Sequence, residues 1–187
     1  YAKELLHLDR VKLIPCNIPN HRTSAYSSGT HRLAMLELAT KNEFGIEVDD
    51  IELRKASVSY TVETVKVMKE NAVADSIVFI LGMDSFNSIT SWFDWKELFA
   101  ICSFLVLGRS GSSVSEAVFN KIQLKKRFTN DVSEFFQEPA GKVFMASKFN
   151  IDMSSTSVRA MLNANGSLEN CLNREVFRYI NDKKLYK

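Results

Sequence analysis

The run Met153-Ser154-Ser155-Thr156-Ser157-Val158-Arg159 places a row of hydroxyls one turn ahead of a guanidinium. Ser154 or Ser155 can cap a helix that starts here. The first turn of any helix has backbone N–H groups with no internal partner and a partial positive charge. Ser155 and Arg159 are four residues apart and so share a helix face. A helix N-terminus, two hydroxyls and a guanidinium on one face make an anion site, suited to phosphate. The same residues also fit an ordinary Ser-capped surface helix with a solvated Arg. What precedes them in the chain decides between the two.

Short apolar runs bounded by turns alternate with helical patterns. Val11 to Pro15, Ile46 to Arg54 (broken near Asp49-Asp50), Ser76 to Leu81, Ser103 to Leu107 and Lys142 to Ala146 read as strands. Ser76 to Leu81 is a continuous apolar run, the pattern of a strand covered on both faces. Helical patterns cover Thr30 to Thr40, Thr61 to Asn71, Trp92 to Ala100, Ser115 to Lys126, Ser157 to Ala164 and Asn173 to Asp182, with Asn165-Gly166 as a stop signal. Lys121 to Glu138 reads as a charged surface excursion. Strands alternating with helices predict an α/β fold, a mostly parallel sheet with helices on both faces. In such folds the ligand sits beyond the carboxyl ends of the strands.

The composition suits a single domain over residues 1–187: 45% hydrophobic, 25% charged, long enough to bury a core. A net charge of +2 gives no ground for a nucleic-acid or membrane partner. The three cysteines, Cys16, Cys102 and Cys171, form no C-x-x-C pair, which points to reduced thiols and a cytoplasmic setting. No apolar run approaches membrane-spanning length, and no signal peptide is visible.

Several segments, taken in order, carry a resemblance: Pro15-Cys16-Asn17-Ile18-Pro19-Asn20-His21-Arg22, Arg32 to Ala39, Glu52-Leu53-Arg54, Ser59-Tyr60-Thr61, Phe79-Ile80-Leu81-Gly82-Met83-Asp84-Ser85, Ser91-Trp92-Phe93-Asp94-Trp95, the Ser-Ser-Thr-x-Val-Arg run, and Tyr179-Ile180 with Leu185-Tyr186. In joint order and spacing the chain resembles bacterial nicotinate mononucleotide adenylyltransferases. The resemblance implies a Rossmann-like nucleotidylyltransferase fold. It also implies transfer of the adenylyl group of ATP to nicotinate mononucleotide, giving nicotinate adenine dinucleotide and pyrophosphate, with Mg²⁺ accompanying ATP. The attacking oxygen belongs to a substrate, so no protein nucleophile is needed, and the lack of a Ser-His-Asp or Cys-His set is consistent with this reaction. Another adenylyltransferase of the same fold, of the phosphopantetheine type, and a catalytically dead nucleotide-binding module are the rivals. Ser59-Tyr60-Thr61 and Trp92 argue against the former.

Residue by residue, the expected ATP and phosphate contacts are His21, Arg22, Gly82, Asp84, Ser155, Thr156 and Arg159. Asp84 follows a strand through Gly82, where its carboxylate can accept hydrogen bonds from a ribose; the competing reading is the N-cap of a helix starting at Ser85. Expected on the nicotinate mononucleotide side are Tyr60, Thr61, Trp92, Phe93 and Arg109. Ser91-Trp92-Phe93-Asp94 looks like a capping-box variant with Asp94 at the third helical position. The resemblance implies that Trp92 stacks on the nicotinate ring, while Phe93 and Thr61 give backbone contacts to its carboxylate. Arg32, Glu52 and Arg54 read as scaffold and ion pairing, and Trp95 and Phe99 as core. The family's Gly-rich loop with its His-x-Gly-His signature has no counterpart among His7, His21 and His31. The expectation is therefore that the family's histidine pair and first central strand precede Tyr1. A protein made strictly from these residues is then expected to fold poorly and to be inactive.

Overall fold

A computed structural model describes residues 1–17, 27–55, 58–71, 76–108, 112–146, 149, 155–164 and 171–186. In chain order the elements are α1 (Ala2–Leu5), β1 (Val11–Leu13), α2 (Gly29–Thr40), β2 (Ile46–Val48), α3 (Thr61–Asn71) and β3 (Val78–Gly82). There follow α4 (Met83–Asn87), a 3₁₀ turn at Ile89–Ser91, α5 (Trp95–Ile101), β4 (Ser103–Leu107), α6 (Glu116–Lys121), α7 (Leu124–Arg127) and β5 (Phe128–Thr129). The chain continues with α8 (Val132–Phe135), β6 (Val143–Ala146), α9 (Ser155–Asn163) and α10 (Arg174–Asp182). It divides into two compact units, one of Tyr1–Ala2 with Tyr60–Ile151, the other of Lys3–Ser59 with Asp152–Lys187.

The first unit holds a parallel four-stranded sheet in the order β3-β4-β6-β5. β4 lies inside it, and Ser103, Phe104, Leu105 and Val106 are all buried, as a parallel strand covered on both faces requires. Successive side chains of a strand point to opposite faces. On one face, Phe104 and its register partner Val143 join a core with Val62 and Val65 of α3 and Leu98 and Phe99 of α5. On the other, Leu105 pairs in register with Phe144, whose ring meets that of fully buried Phe135 edge-on at 5.9 Å.

Three expectations change here. Ser76 to Leu81 forms strand only from Val78, at the end of the sheet order, and is half-buried up to Ile80, with Leu81 buried. Lys121 to Glu138 is no surface excursion, since it contains α7, the strand β5 paired parallel with β6, and α8, which buries Phe135. The expected helix Ser115 to Lys126 is broken, because Gln123 takes a left-handed conformation at φ 54°.

The second unit holds a parallel pair, β1 with β2, with Val11, Lys12 and Leu13 opposite Ile46, Glu47 and Val48. α2 packs on β2 and on α10. His31 Nδ1 lies 2.9 Å from the Tyr179 hydroxyl, and Ser27 Oγ lies 3.1 Å from the Tyr186 hydroxyl. Both tyrosines of the C-terminal motif thus serve as ties to the start of α2. Asp49, just past β2, accepts from Lys12 Nζ at 3.0 Å and from the Ile51 N–H at 3.1 Å. Arg54 lies 3.5 Å from Asp49 and 3.0 Å from Asp50. Arg32 Nη2 donates to the Asn17 carbonyl at 3.0 Å, and Glu52 is buried, with the Cys16 thiol hydrogen-bonded to it. The scaffold reading of Arg32, Glu52 and Arg54 matches these contacts.

Candidate nucleotide site

In the first unit the carboxyl end of the sheet is formed by Gly82 of β3, Leu107 of β4 and Ala146 of β6, which are register neighbours. Gly82 has φ −78° and ψ 160°, a conformation open to any residue. A Cβ built on it meets no atom of the described residues within 4 Å. The space beside this strand end is open, which suits close approach of a ligand to the backbone. Asp84 is not a helix cap: α4 begins at Met83, Gly82 occupies the cap position, and Asp84 stands exposed in the first turn. Its carboxylate is therefore not committed to capping.

The aromatic set gathers nearby in sequence and on the same core. Trp92 is half-buried, edge-on to Phe79 at 5.9 Å with an interplanar angle of 88°, an arrangement worth about 0.5–1.5 kcal/mol. Its indole N–H donates to Ser88 Oγ at 3.2 Å. Phe93 is 57% exposed, yet its ring lies 4.5 Å from that of Tyr60. Tyr60 and Thr61 stand at the start of α3, where the Tyr60 carbonyl accepts from the N–H groups of Glu63 and Thr64 at 3.0 and 3.2 Å. Tyr60 and Phe93 are thus brought together, and Trp92 sits next to Phe93 with its ring oriented from two sides. Phe79 and Ser88, which do this orienting, escape the sequence reading. The four-residue spacing of Ser88 and Trp92 across the 3₁₀ turn was the one available signal.

The capping-box expectation is overturned. Ser91 closes the 3₁₀ turn, and its hydroxyl donates to the Ser88 carbonyl at 2.7 Å. Trp92 is extended, and α5 begins only at Trp95. Asp94 is the cap residue itself, left-handed at φ 48° and ψ 43°, and its side chain makes no capping bond. Asp tolerates this conformation better than most residues. Phe93 projects outward and the partly buried Trp95 packs against the core.

In the second unit α9 begins at Ser155, two residues ahead of the expected Ser157. Ser155 and Thr156 are exposed in its first turn, and Arg159 Nη2 donates to Thr156 Oγ1 at 3.3 Å. This contact joins a hydroxyl and the guanidinium one turn later on one side of the helix. His21, Arg22, Arg109 and Ser154 lie outside the described residues, as does the Asn165-Gly166 stop signal.

Burial pushes the Cys102 thiol up to about 12, so this residue is no nucleophile. Among the described residues no group of three or more His, Cys, Asp or Glu side chains could hold a metal ion. This concerns clusters of protein donors among those residues alone. It does not conflict with an ion carried by a nucleotide, since Mg²⁺ keeps waters and takes phosphate oxygens rather than an all-protein cage.

The cytidylyltransferase-like family matches residues 1–161. A probable nicotinate-nucleotide adenylyltransferase of Hahella chejuensis is 33% identical over 177 residues, covering 94% of this chain and 81% of that protein. The chain belongs to the nicotinate-nucleotide adenylyltransferase family. A relative with the same description in Shewanella woodyi is also 33% identical, over 100% of this chain and 88% of its own. The fold is that of the nicotinic acid mononucleotide adenylyltransferase of Plasmodium falciparum complexed with NaAD, with a TM-score of 0.72 at 18% identity over 98% of this chain and 87% of that one. The Rossmann-like nucleotidylyltransferase fold expected from the sequence is therefore present. No helix among the described residues is long and apolar enough to cross a membrane.

Proposed function

We propose that this chain transfers the adenylyl group of ATP to nicotinate mononucleotide, in NAD biosynthesis. An oxygen of the mononucleotide's 5′-phosphate attacks the α-phosphorus of ATP. A new P–O bond forms, the α–β bridge breaks, and pyrophosphate leaves. The protein's task is to align two anions and to absorb the charge that develops between them. Ser155, Thr156 and Arg159 are assigned to the phosphates, with His21 and Arg22. Gly82 leaves room for the nucleotide and Asp84 accepts from its ribose. Trp92 offers a flat face to the pyridine, Phe93 and Thr61 give backbone contacts to its carboxylate, and Tyr60 and Arg109 complete that side. Mg²⁺ enters with ATP as substrate.

The observation that carries this reading is the pair formed by Tyr60 and Phe93 beside an oriented Trp92. An exposed phenyl ring backed by one aromatic and followed by a left-handed turn is a surface for a flat ligand, and family membership supplies the chemistry. The family match runs through residues of both units, which supports reading residues 1–187 as one nucleotidylyltransferase domain. A cytoplasmic setting fits the free thiols of Cys16, Cys102 and Cys171.

The test is product formation with nicotinate and nicotinamide mononucleotides side by side, with ATP and Mg²⁺. The acid is expected to be preferred. With α5 starting at Trp95 and Asp94 at its cap, that preference rests on the backbone of Phe93 and Thr61, not on a helix start at Ser91. Equal or reversed efficiency removes the assigned role from these residues. No turnover of either, with nucleotide binding intact, leaves the binding-module reading.

A further inference from the structure

The first unit carries a second concave surface of different character. A pocket of about 260 Å³ is lined by Trp95, Lys96, Phe99, Lys121, Gln123 and Arg127. Lys96 and Lys121 come from different helices, yet each ammonium stands 5.9 Å from the Trp95 ring centroid. The Arg127 guanidinium stands 5.0 Å from the Phe99 ring centroid. It is held there by donating from Nε to the Ile122 carbonyl at 2.9 Å and from Nη1 to the Gly141 carbonyl at 3.1 Å. The left-handed Gln123 ends α6 and starts α7, which brings Lys121 and Arg127 to one pocket.

No carboxylate lines this pocket. Glu97, next to Lys96 in sequence, is 3.5 Å from Lys66 instead. Among the described residues no acidic side chain makes an ion pair with Lys96, Lys121 or Arg127. Three cations around one cavity repel each other. The π faces of Trp95 and Phe99 offset part of this, but a counter-charge offsets far more.

We propose that this pocket binds a compact anion with two linked phosphates, as inorganic diphosphate or as the diphosphate of a small nucleotide. Two linked phosphates approach the charge of three converging cations, where one phosphate falls short. The pocket is below the usual range for drug-sized ligands, and its cations converge on one place instead of forming the track a nucleic acid needs. The site sits directly after Phe93 and Asp94 in the chain, but its existence does not depend on the adenylyl-transfer reading.

The chain has two tryptophans, so Trp92→Phe leaves Trp95 as the sole indole reporter. Titration of that protein with inorganic diphosphate should give a saturable change in Trp95 emission. Adding Lys96→Gln and Lys121→Gln together should weaken the midpoint about tenfold, the sum of two exposed charge contacts. Lys121→Arg should retain binding. An ADP arm identifies the source: tighter binding than inorganic diphosphate points to a nucleotide, equal or weaker binding to the free anion. Three results would each overturn the proposal: no saturable change, equal affinity for orthophosphate, or an unaltered midpoint in the double lysine variant whose circular dichroism matches its parent.

Discussion

The two units of this chain bury their side chains to different depths. In the first, β4 is buried along four of its five residues and a continuous core runs from α3 and α5 to Phe104 and Val143. In the second, neither β1 nor β2 has a fully buried residue, and α2 has none over its twelve. Among its described residues the buried apolar side chains are Leu6, Pro15, Val176 and Ile180. Polar ties hold it instead, through His31 with Tyr179, Ser27 with Tyr186, and Asp49 with Lys12. The difference follows the chemistry assigned to each. The surface proposed for a flat ring has Trp92 packed edge-on to Phe79 of that core, with exposed Phe93 against Tyr60. A phosphate is recognised by charge and N–H groups at a helix start, which a polar framework can present.

The largest expected effect is on packing. Phe104→Ala should cost about 3–5 kcal/mol of unfolding free energy, whereas Val176→Ala in α10 should cost about 1.5 kcal/mol, by the methyl groups removed. Urea unfolding of both variants checks this. Equal losses would mean that the contrast in burial has no energetic counterpart.

Next comes Arg159→Ala, which should lower kcat/KM for ATP by about 1.5–3 kcal/mol in transition-state binding while leaving the denaturant midpoint nearly unchanged. Steady-state kinetics and urea unfolding on the same preparation separate the two. A large stability loss with normal kinetics would make Arg159 one more tie of the second unit.

The smallest effect is electrostatic. Burial pushes the Asp49 carboxyl up, but hydrogen bonds from Lys12 and the Ile51 N–H, with the charges of Lys12 and Arg54, outweigh it and hold the group below its ordinary 3.8. Its folded-state value is depressed, so its contribution is present above the unfolded value and lost as pH falls through the folded one. Asp49→Asn should therefore cost less than about 1 kcal/mol at pH 6, and the gap to wild type should close as pH is lowered toward 3. A gap that is constant with pH would show that the Lys12 and Arg54 contacts contribute no charge-dependent stability.

The legible parts of this molecule were those where periodicity and burial agree. Thr61–Asn71 has the expected helix bounds and Ser103–Leu107 the expected strand bounds, because each pattern is long and unambiguous. Ser91 to Asp94 misled because a capping box is a local pattern, and the chain spends Ser91 on closing the 3₁₀ turn and Asp94 on a left-handed cap instead. β5 escaped because two residues carry no period. Of the site, residue types pointed to Trp92, Phe93, Asp84 and Arg159 through resemblance. The side chains that orient Trp92, Phe79 and Ser88, belong to the tertiary arrangement.

Gly82 carries a consequence for how a lesion at this surface would show itself. Its backbone angles suit any residue, and a methyl group there would meet no atom of the described residues within 4 Å. Among the described residues, packing therefore gives no reason for glycine at this position. On the proposed function, Gly82→Ala should leave urea unfolding unchanged and lower kcat/KM, a lesion visible only to the metabolism the protein serves.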